Sequence, residues 1–199
     1  MKIHHYIGIL IFNAIVLNGC STLVNSNQYM MITAPDKIYQ PAEDNALIIF
    51  QRDDSHLADK SSVIIWDVTN SASPVFVALL NPTMKAAYFT TPGEHIFINA
   101  LDNSRAIMKA VVNAHKTYFV MLEKSTLQPG IEFVPIRKGQ ENPISPTGIS
   151  ESLPNISDWI YKQQADRIAS KDAIHMLRIW DVMPARERNS LTLHPEDGR

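Results

Sequence analysis

KAAYFTTPGEHIFINAL, residues 85–101, holds two short apolar and aromatic runs, and Thr91-Pro92-Gly93-Glu94 stands between them. Pro presets φ at the first central position of a type II turn and Gly accepts φ > 0 at the second, so a turn between two strands is expected there. The same character repeats in both directions. Apolar runs bounded by turn residues occur at 46–52, 62–69, 75–80, 85–91, 95–101, 105–113, 116–123 and 131–137. No helix-length segment separates them, which excludes parallel βαβ crossovers and predicts an antiparallel all-β unit. Leu101-Asp102-Asn103-Ser104 reads as a second tight connection. In 105–113, Ala106, Met108, Ala110 and Val112 alternate with Arg105, Ile107, Lys109 and Val111, giving one apolar and one mixed side.

The expected fold is therefore mainly β, an antiparallel β-sandwich over residues 46–137, with an amphipathic helix added at the C-terminal side. Residues 138–154, rich in Pro, Ser, Gly and Asn, read as an irregular connection. Over 155–183 a helix is expected, starting near Asp158 with Asn155 or Ser157 as cap. Ala173, Ile174, Leu177 and Trp180 fall at helical spacing and form a stripe suited to covering a sheet face. The polar tail 184–199 is expected to fray.

The other end of the chain differs in kind. Met1-Lys2 and two histidines precede YIGILIFNAIVL, and Asn18-Gly19-Cys20 follows. A cationic start, a run of about a dozen apolar residues and small residues before a cut site make a secretory signal peptide over 1–19, too short to span a bilayer comfortably. Leu17-Asn18-Gly19-Cys20 resembles the lipobox of bacterial lipoproteins, with Asn18 an uncommon choice where Ala, Ser or Thr is usual. The resemblance implies that Cys20 is acylated and becomes the first mature residue. Cys20 is the chain's one cysteine. It has no partner for the disulfide that an oxidising compartment would favour, so lipidation explains it best. Ser21, where Asp would favour the inner membrane, implies an outer-membrane address facing the periplasm. Residues 20–45, polar and interrupted by Pro35 and Pro41, read as a tether, with Tyr29 to Ile32 able to pack on the domain instead.

Phe50-Gln51-Arg52 closing the first run, Pro92-Gly93-Glu94-His95 at the turn and Lys116-Thr117-Tyr118 opening a later run resemble the domain of unknown function 2846, over roughly residues 45–124. That resemblance implies a β-sandwich, immunoglobulin-like or prealbumin-like, in a bacterial lipoprotein, and brings no catalytic residues. NSASPVFVALLNPTM at 70–84 departs from the family's short glycine-containing hairpin.

Chemistry is sparse. His56, His95, His115, His175 and His194 are scattered outside any HExxH or CxxC context, so no metal is expected. Asp53, Asp54 and Asp59 lack the spaced ligands and glycine of a calcium loop and read as a solvated loop. There is no GxSxG elbow, and the 7 glycines leave no phosphate cradle. The formal charge of -2 carries no basic block, which argues against nucleic acid. No cofactor and no enzymatic activity are expected. Arg52 could take an anionic saccharide or peptide carboxylate, or pair with Asp53 or Asp67. Trp66, Tyr88, Phe97 and Tyr118 could form an aromatic face or fill the core. Arg52, Trp66, His95 and Tyr118 are the candidate binding residues. The membrane, through Cys20, is the expected partner, joined by an envelope protein or peptidoglycan; a small-ligand module is the alternative and an unrecognised hydrolase a third.

Overall fold

The computed structural model describes residues 30–33, 38–52, 62–99, 106–125, 130–141, 143–144, 149–153 and 159–199. Its strands are β1 (Met30–Thr33), β2 (Ala46–Arg52), β3 (Val63–Asp67), β4 (Val75–Leu80), β5 (Lys85–Thr90), β6 (Gly93–Asn99), β7 (Ile107–Val112), β8 (Thr117–Lys124), β9 (Ile131–Pro135), β10 (Ser150–Leu153) and β11 (Thr192–Leu193). Helices α1 (Trp159–Val182) and α2 (Ala185–Ser190) come after β10. The strands form two sheets, ordered β1-β10-β5-β2-β8-β9 and β11-β7-β6-β3-β4.

Each of the eight expected strands is present. The expectation of a wholly antiparallel fold is corrected, because β2 runs parallel to β8, β10 to β5 and β11 to β7. Helix-length spacing is needed only when two parallel strands follow one another in one sheet. Between β2 and β8 the chain passes through β3, β4, β6 and β7 of the opposite sheet, which does the work of a crossover. The Pro92-Gly93 turn is likewise a corner between sheets, since β5 belongs to one and β6 to the other. Gly93 stands at φ 131°, a region closed to side chains bearing a Cβ. The Leu101–Ser104 connection lies outside the described residues.

Alternation then divides the side chains into layers. Ile48 and Phe50 of β2, Val120 and Leu122 of β8, Phe133 of β9, Ile65 of β3, Phe97 of β6 and Met108 of β7 share one buried cluster between the sheets. A register shift between Ile65 and Trp66, opposite β4, lets the successive residues Val77 and Ala78 both join it. Odd-numbered Leu47, Ile49 and Met121 point the other way and are covered by Tyr39, Ile144 and Ile149. β2, buried on both faces, accordingly reads as an unbroken apolar run, ALIIF. On the far side of the second sheet, Ala173 and Met176 of α1 pack on Trp66, Val68, Ile98 and Ile107, with Leu177, Ile179 and Trp180 alongside. The helix covers a sheet face, but Met176 takes the place expected of Ile174, which is 50% exposed.

Three segments read as irregular are built into the fold. β1, in the expected tether, pairs antiparallel with β10, in the expected loop. The tail 184–199, expected to fray, is ordered across both sheets. Leu191 O accepts from Lys109 N, Leu193 is buried between the sheets, and Arg199 exchanges both backbone hydrogen bonds with Thr117 of β8. Arg137, just beyond β9, holds the segment through one guanidinium that donates to the carbonyls of Asn189, Ser190 and Thr192 and to the Asp197 carboxylate. Asp197 also accepts from the backbone N–H of Lys138 and His194. Polar composition misleads here because the polar groups bind one another and not water.

A Cβ on Gly198 would lie 2.7 Å from Tyr118 Cζ and 2.9 Å from Lys116 Cβ. Tyr118 is fully buried and its ring cannot retreat. Gly198→Ala is therefore expected to destabilise by about 1–3 kcal/mol through overpacking, read as a lowered urea midpoint; an unchanged midpoint would contradict this seating of the tail.

Candidate functional site

A largely buried polar cluster joins the two sheets at Asp67 and His95. β3 ends on Asp67, β6 brings His95 to the same interior face as Phe97, and β5 of the opposite sheet contributes Tyr88 and Thr90. Asp67 Oδ2 accepts from His95 Nδ1 at 2.9 Å and from the Tyr88 hydroxyl at 3.1 Å. Its Oδ1 accepts from the N–H and hydroxyl of Thr69. The Thr69 hydroxyl in turn accepts from Ile96 N, which ties the β3 end to β6. His95 Nε2 lies 2.9 Å from Thr91 O and 3.1 Å from Thr90 Oγ1. The His95 ring stacks on Phe97 at 6.1 Å.

Electrostatics follow from that wiring. Burial resists charge on Asp67, but the bonds from His95 and Thr69 overcome it and hold the carboxyl below its usual 3.8. Burial likewise disfavours a charged His95, and its bonds to Asp67 and Thr91 O reverse this, raising it above 6.5. Tyr88, buried against the Asp67 charge, is pushed up and stays protonated.

Hydroxyl, imidazole and carboxylate stand here in the order of a hydrolytic triad, which invites a catalytic reading. The hydrogen bonds argue against it. A general base needs a lone pair facing the hydroxyl, whereas Nε2 faces the Thr91 carbonyl, an acceptor only, and therefore carries a proton. In the protonated ring both nitrogens donate, to Asp67 Oδ2 and to Thr91 O, and that form has no lone pair for a proton from Thr90. Thr90 itself is 9% exposed. The cluster acts as a charged clasp joining β3 and β6 to β5.

Its contribution is pH-dependent in a definite direction. Asp67, lowered, adds stability that is present above 3.8 and lost as pH falls through its folded value. His95, raised, adds stability that is complete below 6.5 and lost as pH rises through its folded value. The pair is therefore fully stabilising between about pH 4 and 6.5. Urea midpoints of the wild type are expected to fall on the alkaline side of that window, and Asp67→Asn to flatten that limb. An alkaline limb unchanged in the variant would contradict the assignment.

The four candidate residues do not share a site. Trp66 is buried under α1 and meets Phe76 edge-on at 5.6 Å. His95 belongs to the clasp. Tyr118 is buried in the core, where its hydroxyl accepts from Asn113 N and donates to Pro195 O. Arg52 ends β2, 2% exposed, with its backbone N–H bonded to Met84 O; the suggested pairing with Asp67 is not seen, that carboxylate being taken by His95, Tyr88 and Thr69. Cys20, His56, Asp53, Asp54 and Asp59 lie outside the described residues. No protein-family model matches the chain, and no curated protein matches it significantly.

A second feature is a shallow cavity of about 380 Å³ on the outer face of the first sheet, lined by Tyr39, Gln40, Ile49, Phe119 and Arg199 among others. The Arg199 guanidinium stands 5.7 Å from the centre of the Phe119 ring. Among the described residues no group of three or more His, Cys, Asp or Glu could hold a metal, and no helix is long and apolar enough to cross a membrane. Sequence reasoning missed Arg137, Asp197, Thr69 and Thr90. A signal did exist for the clasp: in HIFIN, His95 takes the same alternating face as Phe97, so a polar ring had to be satisfied inside the core.

Proposed function

We propose that this chain is a lipid-anchored, non-catalytic protein of the bacterial cell envelope, facing the periplasm from the outer membrane. Its two-sheet domain, read as an immunoglobulin-like or prealbumin-like sandwich akin to the domain of unknown function 2846, presents itself to another envelope component, a protein or peptidoglycan. The observation that carries this reading is Leu17-Asn18-Gly19-Cys20 behind a signal-peptide pattern in a chain with one cysteine. The fold is compatible with close tethering. β1 starts at Met30, ten residues after Cys20, a span of at most about 36 Å. The closed hydrogen bonding of His95 supports a role without catalysis.

Cell fractionation tests the reading. The protein is expected to sediment with membranes, resist carbonate and high salt, and dissolve in detergent; recovery in the soluble fraction would overturn it.

The cavity at Phe119 and Arg199 favours a second reading, a module for small anionic ligands, since its size suits one and a cation stands over an aromatic floor. Fluorescence gain by anilinonaphthalene sulfonate, lost in Arg199→Ala, is the result expected of that reading. No gain would dismiss it.

A further inference from the structure

Segment 189–199 is attached to the rest of the chain as a ligand is attached to a site. Helix α2, which delivers it, has no buried residue, and Pro184 just before it is exposed. The segment then makes its contacts in sequence. Leu191 O and the two residues of β11 bond along β7, and Leu193 enters the core. Pro195 O accepts from Tyr118, Asp197 pairs with Arg137 at 3.0 Å, and Arg199 pairs with Thr117 at the β8 edge. The acceptor is an edge strand, an apolar slot between the sheets and, just beyond β9, one forked cation. That is the chemistry by which domains take up extended peptides, with the backbone giving affinity and the slot and charge giving specificity.

We propose that the β7 edge, the Leu193 slot and Arg137 form a strand-acceptor site that takes segment 189–199 of a second copy of this chain as readily as its own. The identity of the occupant is argued from the seated sequence itself: an apolar residue, then a carboxylate four positions on, followed by a glycine that the Tyr118 ring requires. A second copy carries that pattern by definition, and exchange of an identical element costs little when the hinge is exposed. The proposal stands on the fold alone and is independent of lipid attachment.

Complementation tests it. Arg137→Ala keeps a competent tail without an acceptor, and Asp197→Ala keeps an acceptor without a competent tail. Each variant alone is expected to be monomeric by size exclusion with light scattering, while their mixture, at concentrations well above micromolar, forms a heterodimer. Two folded variants that stay monomeric together overturn the proposal. Should either variant fail to fold, a protease site inserted between Met183 and Pro184 of the otherwise unaltered chain decides. After cleavage, the released segment is expected to co-elute with the body and to exchange for a labelled synthetic 189–199 peptide. A body that unfolds on cleavage, a segment that never exchanges, or one that leaves without the peptide rebinding overturns it.

Discussion

Cys20→Ser is expected to abolish incorporation of labelled palmitate into the protein, with no residual signal above background. One thiol exists in the chain, so no other cysteine can substitute. Each buried methylene contributes about 0.8 kcal/mol, and even a single acyl chain gives an association constant of about 10⁴ M⁻¹. Loss of the acyl chains proposed at Cys20 therefore removes the main hold on the membrane. The polypeptide itself should be unaffected: β1 begins at Met30 and the packed layers involve nothing near residue 20 among the described residues. Circular dichroism and urea midpoint of the soluble domain should match the wild type. Label retained on the serine variant would remove the basis for the anchoring.

Arg137→Ala is expected to cost the fold about 2–4 kcal/mol, the range for removing one partner of a largely buried ion pair. The guanidinium is the common donor to three tail carbonyls and to Asp197, whose side chain is only 6% exposed. Burial opposes the Asp197 charge, and the bonds from His194, Lys138 and Arg137 hold its carboxyl below the ordinary range. Without the arginine that carboxylate loses its ion-pair partner in the interior. In a chain of this size the loss lowers Tm by about 5–15 °C. Arg137→Lys should recover little, because a single ammonium cannot reach carbonyls on both sides of a planar fork. Hydrogen exchange separates the tail from the core: amides of 187–199 should lose protection while those of β2 and β8 keep theirs. A drop below about 1 kcal/mol with the tail still protected would contradict this role.

The contrast between β2 and the tail shows what could be read from the sequence. Local alternation and turn residues locate strands wherever a strand must bury a side, and β2 and β4 fall on their expected residues, 46–52 and 75–80. Partner choice is a global property, so the same residues could not disclose that β2 lies parallel to β8 with four strands of the other sheet threaded between them. β1, β10 and β11 have two to four residues each, too few to show an alternating pattern in the sequence. The tail was illegible for a related reason. Arg137 and Asp197 are 60 positions apart, and only folding makes one the partner of the other. For the clasp, His95 at an interior strand position was legible as a polar residue needing partners, while its use as a closed ion pair and not a base depended on Thr91 O standing 2.9 Å from Nε2.

The proposed attachment of this chain to lipid through Cys20 is tested most directly by intact mass of the protein extracted with detergent from the cells that make it. The account predicts a polypeptide beginning at Cys20 whose mass exceeds that of residues 20–199 by a diacylglyceryl group and a third acyl chain. A species of unmodified mass with a free thiol at Cys20 would contradict it.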